Sequence, residues 1–172
     1  MIETGKASPL LVEALAFAVE AHGAVLQERK GTTFPYVVHP VRVAEILHLF
    51  GYGDELVAAG LLHDTIEDAG IARERIAERF GERVARLVEG ASEPDKSAPW
   101  RHRKEHTLAS LASEADDDTA VVVAADKLDN IRALRETLAR RGEDDTWASF
   151  RAGREEQHWY YRGLAAALLA RD

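Results

Sequence analysis

A histidine and three carboxylates lie within six consecutive residues of this chain: His63, Asp64, Glu67 and Asp68. Each residue of a helix advances by about 100°, so one continuous helix would point these four side chains into one arc and leave apolar neighbours for the opposite face. Clustered carboxylates repel one another, so either a cation lies among them or at least one carboxylate stays protonated. A metal ion is the simpler explanation, because histidine with carboxylate suits Mn, Fe, Zn or Mg. The alternative is a solvated acidic helix face that contains a histidine by chance.

The elements that must position these residues are predicted to be helices. Apolar residues recur at helical spacing through most of the chain, and glycines and prolines separate the periodic segments. The valines at 121–123 could also form a buried strand, but the chain has no second run of that kind to pair with it. The sequence therefore predicts an all-α single domain over residues 1–172. The first predicted helix runs from Pro9 to about Gln27 after an N-cap at Ser8, and the second runs from His39 to the glycines at 51 and 53. A third helix, capped by Asp54, carries His63 to Asp68. The remaining predicted helices are Ile71 to Phe80, Glu82 to Glu89, one that starts at Trp100 after a loop over 90–99, about Thr119 to Arg140, and Arg154 to Arg171.

Composition limits the chemistry that such a site can use. The chain has 172 residues, no cysteine and a formal net charge of −8. Disulfides, thiolate metal sites and a cysteine nucleophile are therefore excluded, and the negative charge argues against a protein that coats nucleic acid. No segment has the length of a transmembrane helix, and the N-terminal residues lack a signal-peptide pattern. We expect a cytoplasmic protein that binds a small molecule and has no membrane partner, while its oligomeric state stays open.

Further candidate ligands lie on other predicted helices. His39 stands at the start of the second helix, and Asp126 and Asn130 lie one turn apart on one face of the long helix. Together with His63 and Asp64, residues His39 and Asp126 supply two imidazoles and two carboxylates. Such a four-ligand set leaves coordination positions for water and substrate. A single histidine at a helix start is otherwise more often structural.

A basic pair, Arg29 and Lys30, lies in a loop that is rich in glycine, threonine and proline. If the loop faces a pocket, these two side chains would form a strong clamp for phosphate groups. The alternative is a basic loop tip that is simply solvated.

The order His…His-Asp…Asp resembles the HD-domain phosphohydrolase superfamily. Four segments extend the resemblance: PYVVHP, LLHDTIEDAG, FGERVARLVEG and ADKLDNIRAL. In order and spacing they are similar to the hydrolase domain of the RelA/SpoT family of the stringent response. The compact, single-domain members of that family are the small alarmone hydrolases, which include the metazoan homologues. The resemblance covers roughly residues 10 to 140, and it implies a single helical HD domain.

The resemblance also implies a reaction and a role for each candidate residue. The reaction is removal of pyrophosphate from the 3′ position of the guanosine alarmones (p)ppGpp, with GDP or GTP as the second product. By the resemblance, one Mn ion would be bound by His39, His63, Asp64 and Asp126. Glu67 and Asp68 would position or deprotonate the attacking water. The nucleotide and its phosphates would be bound by Arg29, Lys30 and Asn130.

Two positions depart from the family pattern. Asp129 stands where histidine or tyrosine is usual, and residues 90–92 stand where a Val-Thr pair is common. By the resemblance, both lie near the base or the 5′ phosphates of the substrate. Alternatives to guanosine alarmones are adenosine 3′-diphosphate alarmones, another nucleotidase or phosphodiesterase substrate, or a sensor that binds nucleotides without catalysis. The role of the basic run Trp100 to Lys104 stays open.

Overall fold

The computed structural model describes residues 8–25, 28–29, 34–93, 97–113 and 115–171. All regular secondary structure in these residues is helical, and one isolated β-bridge joins Glu28 to Pro35. The predicted all-α fold is confirmed. Contacts between helices divide the chain into two compact units, Met1–Ser92 and Glu93–Asp172. Within the described ranges, no helix is both long enough and apolar enough to span a membrane.

The described part of the first unit is built around a buried helix. Its helices are α1 (Pro9–Ala24), α2 (Val38–Leu49), α3 (Asp54–Leu62), α4 (Thr65–Ala69), α5 (Arg73–Phe80) and α6 (Glu82–Ala91). The central helix α3 packs against α1, α2 and α6, and residues 56–62 are all buried. A helix that is apolar all round is buried on every side, so the predicted division of this helix into a buried face and an open face is wrong.

Several helix boundaries differ from the prediction by a few residues. α1 ends at Ala24 instead of continuing toward Gln27, which lies outside the described residues. Ser8 occupies the N-cap of α1, but its side chain makes no capping hydrogen bond. α3 is preceded by Gly53 as its cap, with Asp54 as its first residue, and α6 extends past Glu89 into the predicted loop. Helix ends are the least certain feature of a sequence pattern.

The close approach of α2 and α3 depends on Gly60, which has no side chain. A Cβ atom at this position would lie 2.6 Å from Leu47 Cδ1 and 3.4 Å from the backbone nitrogen of Ala44. His39 lies in the first turn of α2, and His63 directly follows the last residue of α3. The tight packing of these two helices therefore positions two of the predicted ligands.

The second unit contains the long helix that the sequence predicts. Its described helices are α7 (Trp100–Ser113), α8 (Asp117–Arg141), α9 (Glu143–Ala148) and α10 (Arg154–Leu169). The carboxylate of Asp116 accepts a hydrogen bond from the backbone nitrogen of Thr119 at 2.7 Å and caps α8. The valines at 121–123 lie inside this helix, so the strand alternative is excluded. The short helix α9 was not predicted.

Candidate active site

The continuous helix predicted through His63 and Asp64 is interrupted at these two residues. α3 ends at Leu62 and α4 begins at Thr65, while Asp64 has φ −95° and ψ −2°, at the edge of the helical region. The buried hydroxyl of Thr65 donates to the carbonyl of Leu62 at 2.7 Å, across the interruption. The single continuous helix predicted to carry the histidine and the three carboxylates is therefore wrong. The break between two helices, instead of one helix face, sets the directions of His63 and Asp64.

His39, His63 and Asp64 converge within the first unit. Asp64 Oδ2 lies 3.0 Å from His63 Nε2 and 3.6 Å from His39 Nε2. The ring nitrogens that the two histidines offer to a metal lie within 4.8 Å of each other, and only 2% of His39 and 1% of His63 are exposed. Three of the predicted metal ligands therefore lie together within the first unit.

A hydrogen bond to Gly60 determines which nitrogen of His63 faces Asp64. His63 Nδ1 lies 2.9 Å from the carbonyl oxygen of Gly60, and a carbonyl can only accept, so Nδ1 carries the hydrogen. In the neutral ring, Nε2 then has a lone pair that faces the Asp64 carboxylate at 3.0 Å. These electron pairs repel each other unless a cation or a proton lies near both. Metal-binding histidines commonly donate their other ring nitrogen to a backbone carbonyl, so the donor set fits a divalent metal ion.

Tyr36 belongs to this site and was not predicted. Its hydroxyl donates a hydrogen bond to Asp64 Oδ2, and its ring contacts the ring of His39 with centroids 5.6 Å apart. Tyr36 lies in the PYVVHP segment, three residues before His39, so its position in that segment was the available indication. The contact orients the Asp64 carboxylate toward the two histidines.

Glu67 and Asp68 lie in the first turn of α4, directly after the break. Both side chains are half-buried, and the backbone nitrogen of Asp68 donates to the carbonyl of Asp64 at 2.7 Å. The acidic pair therefore lies one helical turn from Asp64, on an element that Asp64 itself begins.

Asp126 and Asn130 lie in the second unit, on α8. Asp126 is buried, with 6% of its surface exposed. Lys127 Nζ lies 2.6 Å from Asp126 Oδ2, and Asn130 donates from its amide to Asp126 Oδ1. The predicted spacing of one helical turn between Asp126 and Asn130 is confirmed, and both carboxylate oxygens of Asp126 contact side chains of the same helix.

The basic pair is described only in part. The backbone nitrogen of Arg29 donates to the carbonyl of Phe34 at 2.9 Å, next to the β-bridge, and the Arg29 side chain is half-buried. This burial does not fit a fully solvated tip. Lys30 lies outside the described residues.

The basic run after Trp100 is paired within the second unit. Arg103 Nη1 lies 2.5 Å from Glu93 Oε2, and Lys104 forms an ion pair with Glu93 Oε1. Burial would raise the pKa of Glu93, but the charges of Lys104, Lys127 and Arg103 outweigh burial and lower that pKa below its usual value. Burial, followed by the charge of Lys127, lowers the pKa of Lys104. Glu93 therefore stabilises a group of half-buried cations on α7 and α8.

We expect Glu93→Gln to destabilise the protein by about 3 kcal/mol, because removing one partner leaves buried charges uncompensated. Urea unfolding at pH 7 measures this. Glu105→Gln is the matched control, since Glu105 forms an exposed pair with Arg101 at 3.0 Å on the same helix and should contribute at most about 0.5 kcal/mol.

The pH dependence of this difference has a definite sign. The pKa of Glu93 is lower in the folded chain than its usual value of 4.5. Its stabilisation is therefore present above pH 4.5 and is lost as the pH falls through the folded-state pKa. The stabilities of the wild type and Glu93→Gln should converge in acid; a difference that stays constant to low pH would contradict this account.

Comparison with known proteins decides the family. A model of the HD domain matches residues 14–157. The chain belongs to the HD-domain family. This HD-domain chain is 39% identical over 135 residues to a mouse protein named guanosine-3′,5′-bis(diphosphate) 3′-pyrophosphohydrolase MESH1, and the match covers 76% of this chain and 72% of MESH1. It is also 38% identical over 122 residues to the Aquifex aeolicus enzyme of the same activity name, covering 70% of this chain.

A solved structure supports the same relationship. The HD-domain chain is similar to a metazoan ortholog of SpoT that is described as hydrolysing ppGpp, with a TM-score of 0.76 and 26% sequence identity. The similarity covers 96% of this chain and 86% of that protein. The chain spans only 17% of the length of the Aquifex relative, whereas it spans most of MESH1. The predicted resemblance to the compact alarmone hydrolases is confirmed.

Proposed function

We propose that this HD-domain protein hydrolyses guanosine 3′,5′-polyphosphate alarmones, releasing pyrophosphate from the 3′ position and leaving GDP or GTP. The observation that carries the proposal is the convergence of His39, His63 and Asp64 in a chain that is 39% identical to a protein named for this reaction. We further propose that residues 1–172 act as one HD domain, since the family match extends across residues 14–157.

The proposed metal site uses His39, His63, Asp64 and Asp126, and the proposed ion is one Mn per chain. The repelling lone pairs of His63 and Asp64 support a cation at this position, and a nitrogen and oxygen donor set without thiolate suits Mn. Asp126 enters the proposal because the HD-family pattern includes the α8 segment that carries it. When bound, such an ion polarises a phosphoryl oxygen and lowers the pKa of water.

The chain's own residues supply the remaining chemistry in the proposed reaction. Glu67 and Asp68 orient the attacking water and accept its proton, since α4 holds both carboxylates one turn from Asp64. Asn130 and the Arg29-Lys30 pair hold the nucleotide and its phosphates. Tyr36 keeps Asp64 oriented through the hydrogen bond to Oδ2.

A second candidate is hydrolysis of adenosine 3′-diphosphate alarmones or of another nucleotide. Asp129 departs from the family pattern and is buried, with 2% of its surface exposed. Ser92, in the other departing segment, places its Oγ 2.8 Å from the carbonyl of Val88 and 3.4 Å from that of His63. Asp129 lies on the same helix as Asn130, and the hydroxyl of Ser92 contacts the backbone carbonyl of His63. The preference of this chain for one base could therefore differ from that of the family.

Turnover of a nucleotide panel tests the function. Guanosine and adenosine 3′-diphosphates with 5′ di- or triphosphates, 2′,3′-cyclic nucleotides and ordinary nucleoside triphosphates are supplied with Mn, and products are resolved by chromatography. Pyrophosphate release from (p)ppGpp with the highest kcat/KM supports the proposal. Preference for the adenosine compounds would favour the second candidate, and binding without turnover of any compound would indicate a sensor.

Arg29→Ala should weaken nucleotide binding while the metal content stays unchanged. A hydrogen bond to a charged group contributes roughly 1.5–3 kcal/mol, so kcat/KM should fall by about ten- to a hundredfold. Steady-state kinetics with metal analysis on the same preparation measure this, and Arg42→Ala, which removes a guanidinium from α2, is the control. Unchanged kinetics in Arg29→Ala would show that Arg29 does not hold the phosphates of the nucleotide.

A further inference from the structure

A cavity of about 400 Å³ opens among α8, α9 and α10, within the second unit. Its apolar walls are Ile131 and Leu134 of α8, the indole of Trp147 and the ring of Tyr161. Burial raises the pKa of Tyr161 to about 12, so the phenol is neutral at pH 7. Small-molecule sites have volumes of roughly 300–1,000 Å³ and mostly apolar walls. None of the proposed metal ligands or water-activating residues lines this cavity.

Gln157 gives the cavity a hydrogen-bonding group. This residue lines the cavity and has only 9% of its surface exposed. In the part of the chain that the structure describes, its side-chain amide has no hydrogen-bond partner, although its backbone nitrogen donates to Gly153. The indole nitrogen of Trp147 is also buried without an acceptor there. Buried polar groups are almost always paired, so a molecule in the cavity that offers an acceptor would account for the Trp147 indole nitrogen, and the Gln157 amide is open to the same molecule.

We propose that this cavity is a nucleobase-binding site. A planar base would lie between apolar and aromatic walls, where stacking on rings is favourable whatever the base. The Gln157 amide offers a donor and an acceptor side by side, which matches the edge of a base as glutamine matches N6 and N7 of adenine. Arg154 at the rim is exposed and paired with Glu143 at 3.0 Å, so recognition rests on the base and not on a phosphate clamp.

The base has two possible sources. Leu134 lies one helical turn after Asn130 on α8, so the cavity could hold the base of the substrate proposed above, in which case this part of the inference rests on the proposed function. The other source is a free nucleoside that binds independently of the reaction. The binding chemistry is the same in both cases, and kinetics distinguish them.

Calorimetric titration of the full, EDTA-treated chain tests the site directly. Adenosine and guanosine are the ligands, and ribose 5-phosphate is the control without a base. We expect one or both nucleosides to bind and ribose 5-phosphate not to bind. Gln157→Leu, which removes the amide at similar size, should weaken nucleoside binding at least tenfold. Ile131→Trp should also weaken it, because it fills the cavity from a partly exposed wall position. Arg162→Leu, an exposed polar-to-leucine change on α10 outside the cavity, should have no effect.

The outcomes separate this inference from the proposed function, since the titration requires no turnover. Absence of nucleoside binding, or wild-type affinity in folded Gln157→Leu and Ile131→Trp, would overturn the nucleobase site. If the base belongs to the substrate, both variants should raise KM for the preferred nucleotide with little change in kcat. If the ligand is a separate nucleoside, KM should be unchanged while nucleoside binding is lost.

Discussion

Replacing Asp64 with alanine should remove both metal binding and nucleotide hydrolysis. Asp64 Oδ2 lies 3.0 Å from Nε2 of His63 and 3.6 Å from Nε2 of His39, so the substitution removes a carboxylate oxygen that faces both proposed histidine ligands. The wild type should contain about one Mn per chain and lose activity in EDTA. Asp64→Ala should contain little metal and have no detectable turnover at any Mn concentration that keeps the protein soluble.

Thermal unfolding provides a readout of the metal that does not depend on activity. An ion at a concentration 100 times its Kd stabilises the folded state by about 2.7 kcal/mol, which raises the Tm of a protein of this size by roughly 5–10 °C. We expect this increase for the wild type and for Glu74→Ala, a control that removes an exposed carboxylate from α5. Asp64→Ala should show no increase. A Mn-dependent rise in Tm in Asp64→Ala, equal to that of the wild type, would show that the ion lies elsewhere.

The sequence was sufficient to predict the helices but not the break that shapes the site. Periodic apolar residues and terminating glycines mark α2, α5 and α8 clearly. Nothing in His63-Asp64 resembles a helix break, because neither residue is glycine or proline. The residues around the break are buried, and the hydroxyl of Thr65 bonds across it to the carbonyl of Leu62, neither of which a local sequence pattern shows. Helix α9 was missed because six residues are too short to show periodicity.

Contacts between distant residues were also beyond sequence reasoning. The order of histidines and aspartates suggested that His39 lies near His63, but only the packing at Gly60 explains how α2 comes close enough to α3. The contact of Tyr36 with Asp64 joins residues 28 positions apart, and the ion pair of Glu93 with Lys104 joins residues 11 positions apart. Such contacts follow from the fold, so local pattern could not predict them.

Glu67→Gln should lower kcat by about 10² to 10⁴ at unchanged metal content, because it keeps size and most hydrogen bonding but removes the proposed general base. Nucleotide affinity should hold or increase, since a negative charge near the polyphosphate is removed. Glu74→Gln, the same change in the first turn of α5, is the matched control and should keep wild-type kcat. Metal content, nucleotide affinity and kcat are measured on one preparation of each variant.

Asp68→Asn tests whether the two carboxylates of α4 act as a unit. Both lie in the first turn of this helix, and the backbone nitrogen of Asp68 is held by the carbonyl of Asp64. If one residue orients the water and the other takes its proton, each single variant loses most of the benefit of the pair. The double variant should then be less impaired than the product of the two single effects, because residues that act together are not additive. If they are solvated surface acids instead, all three variants will keep near-wild-type turnover with metal bound. That result would exclude the proposed water activation even if the protein proves to be a hydrolase.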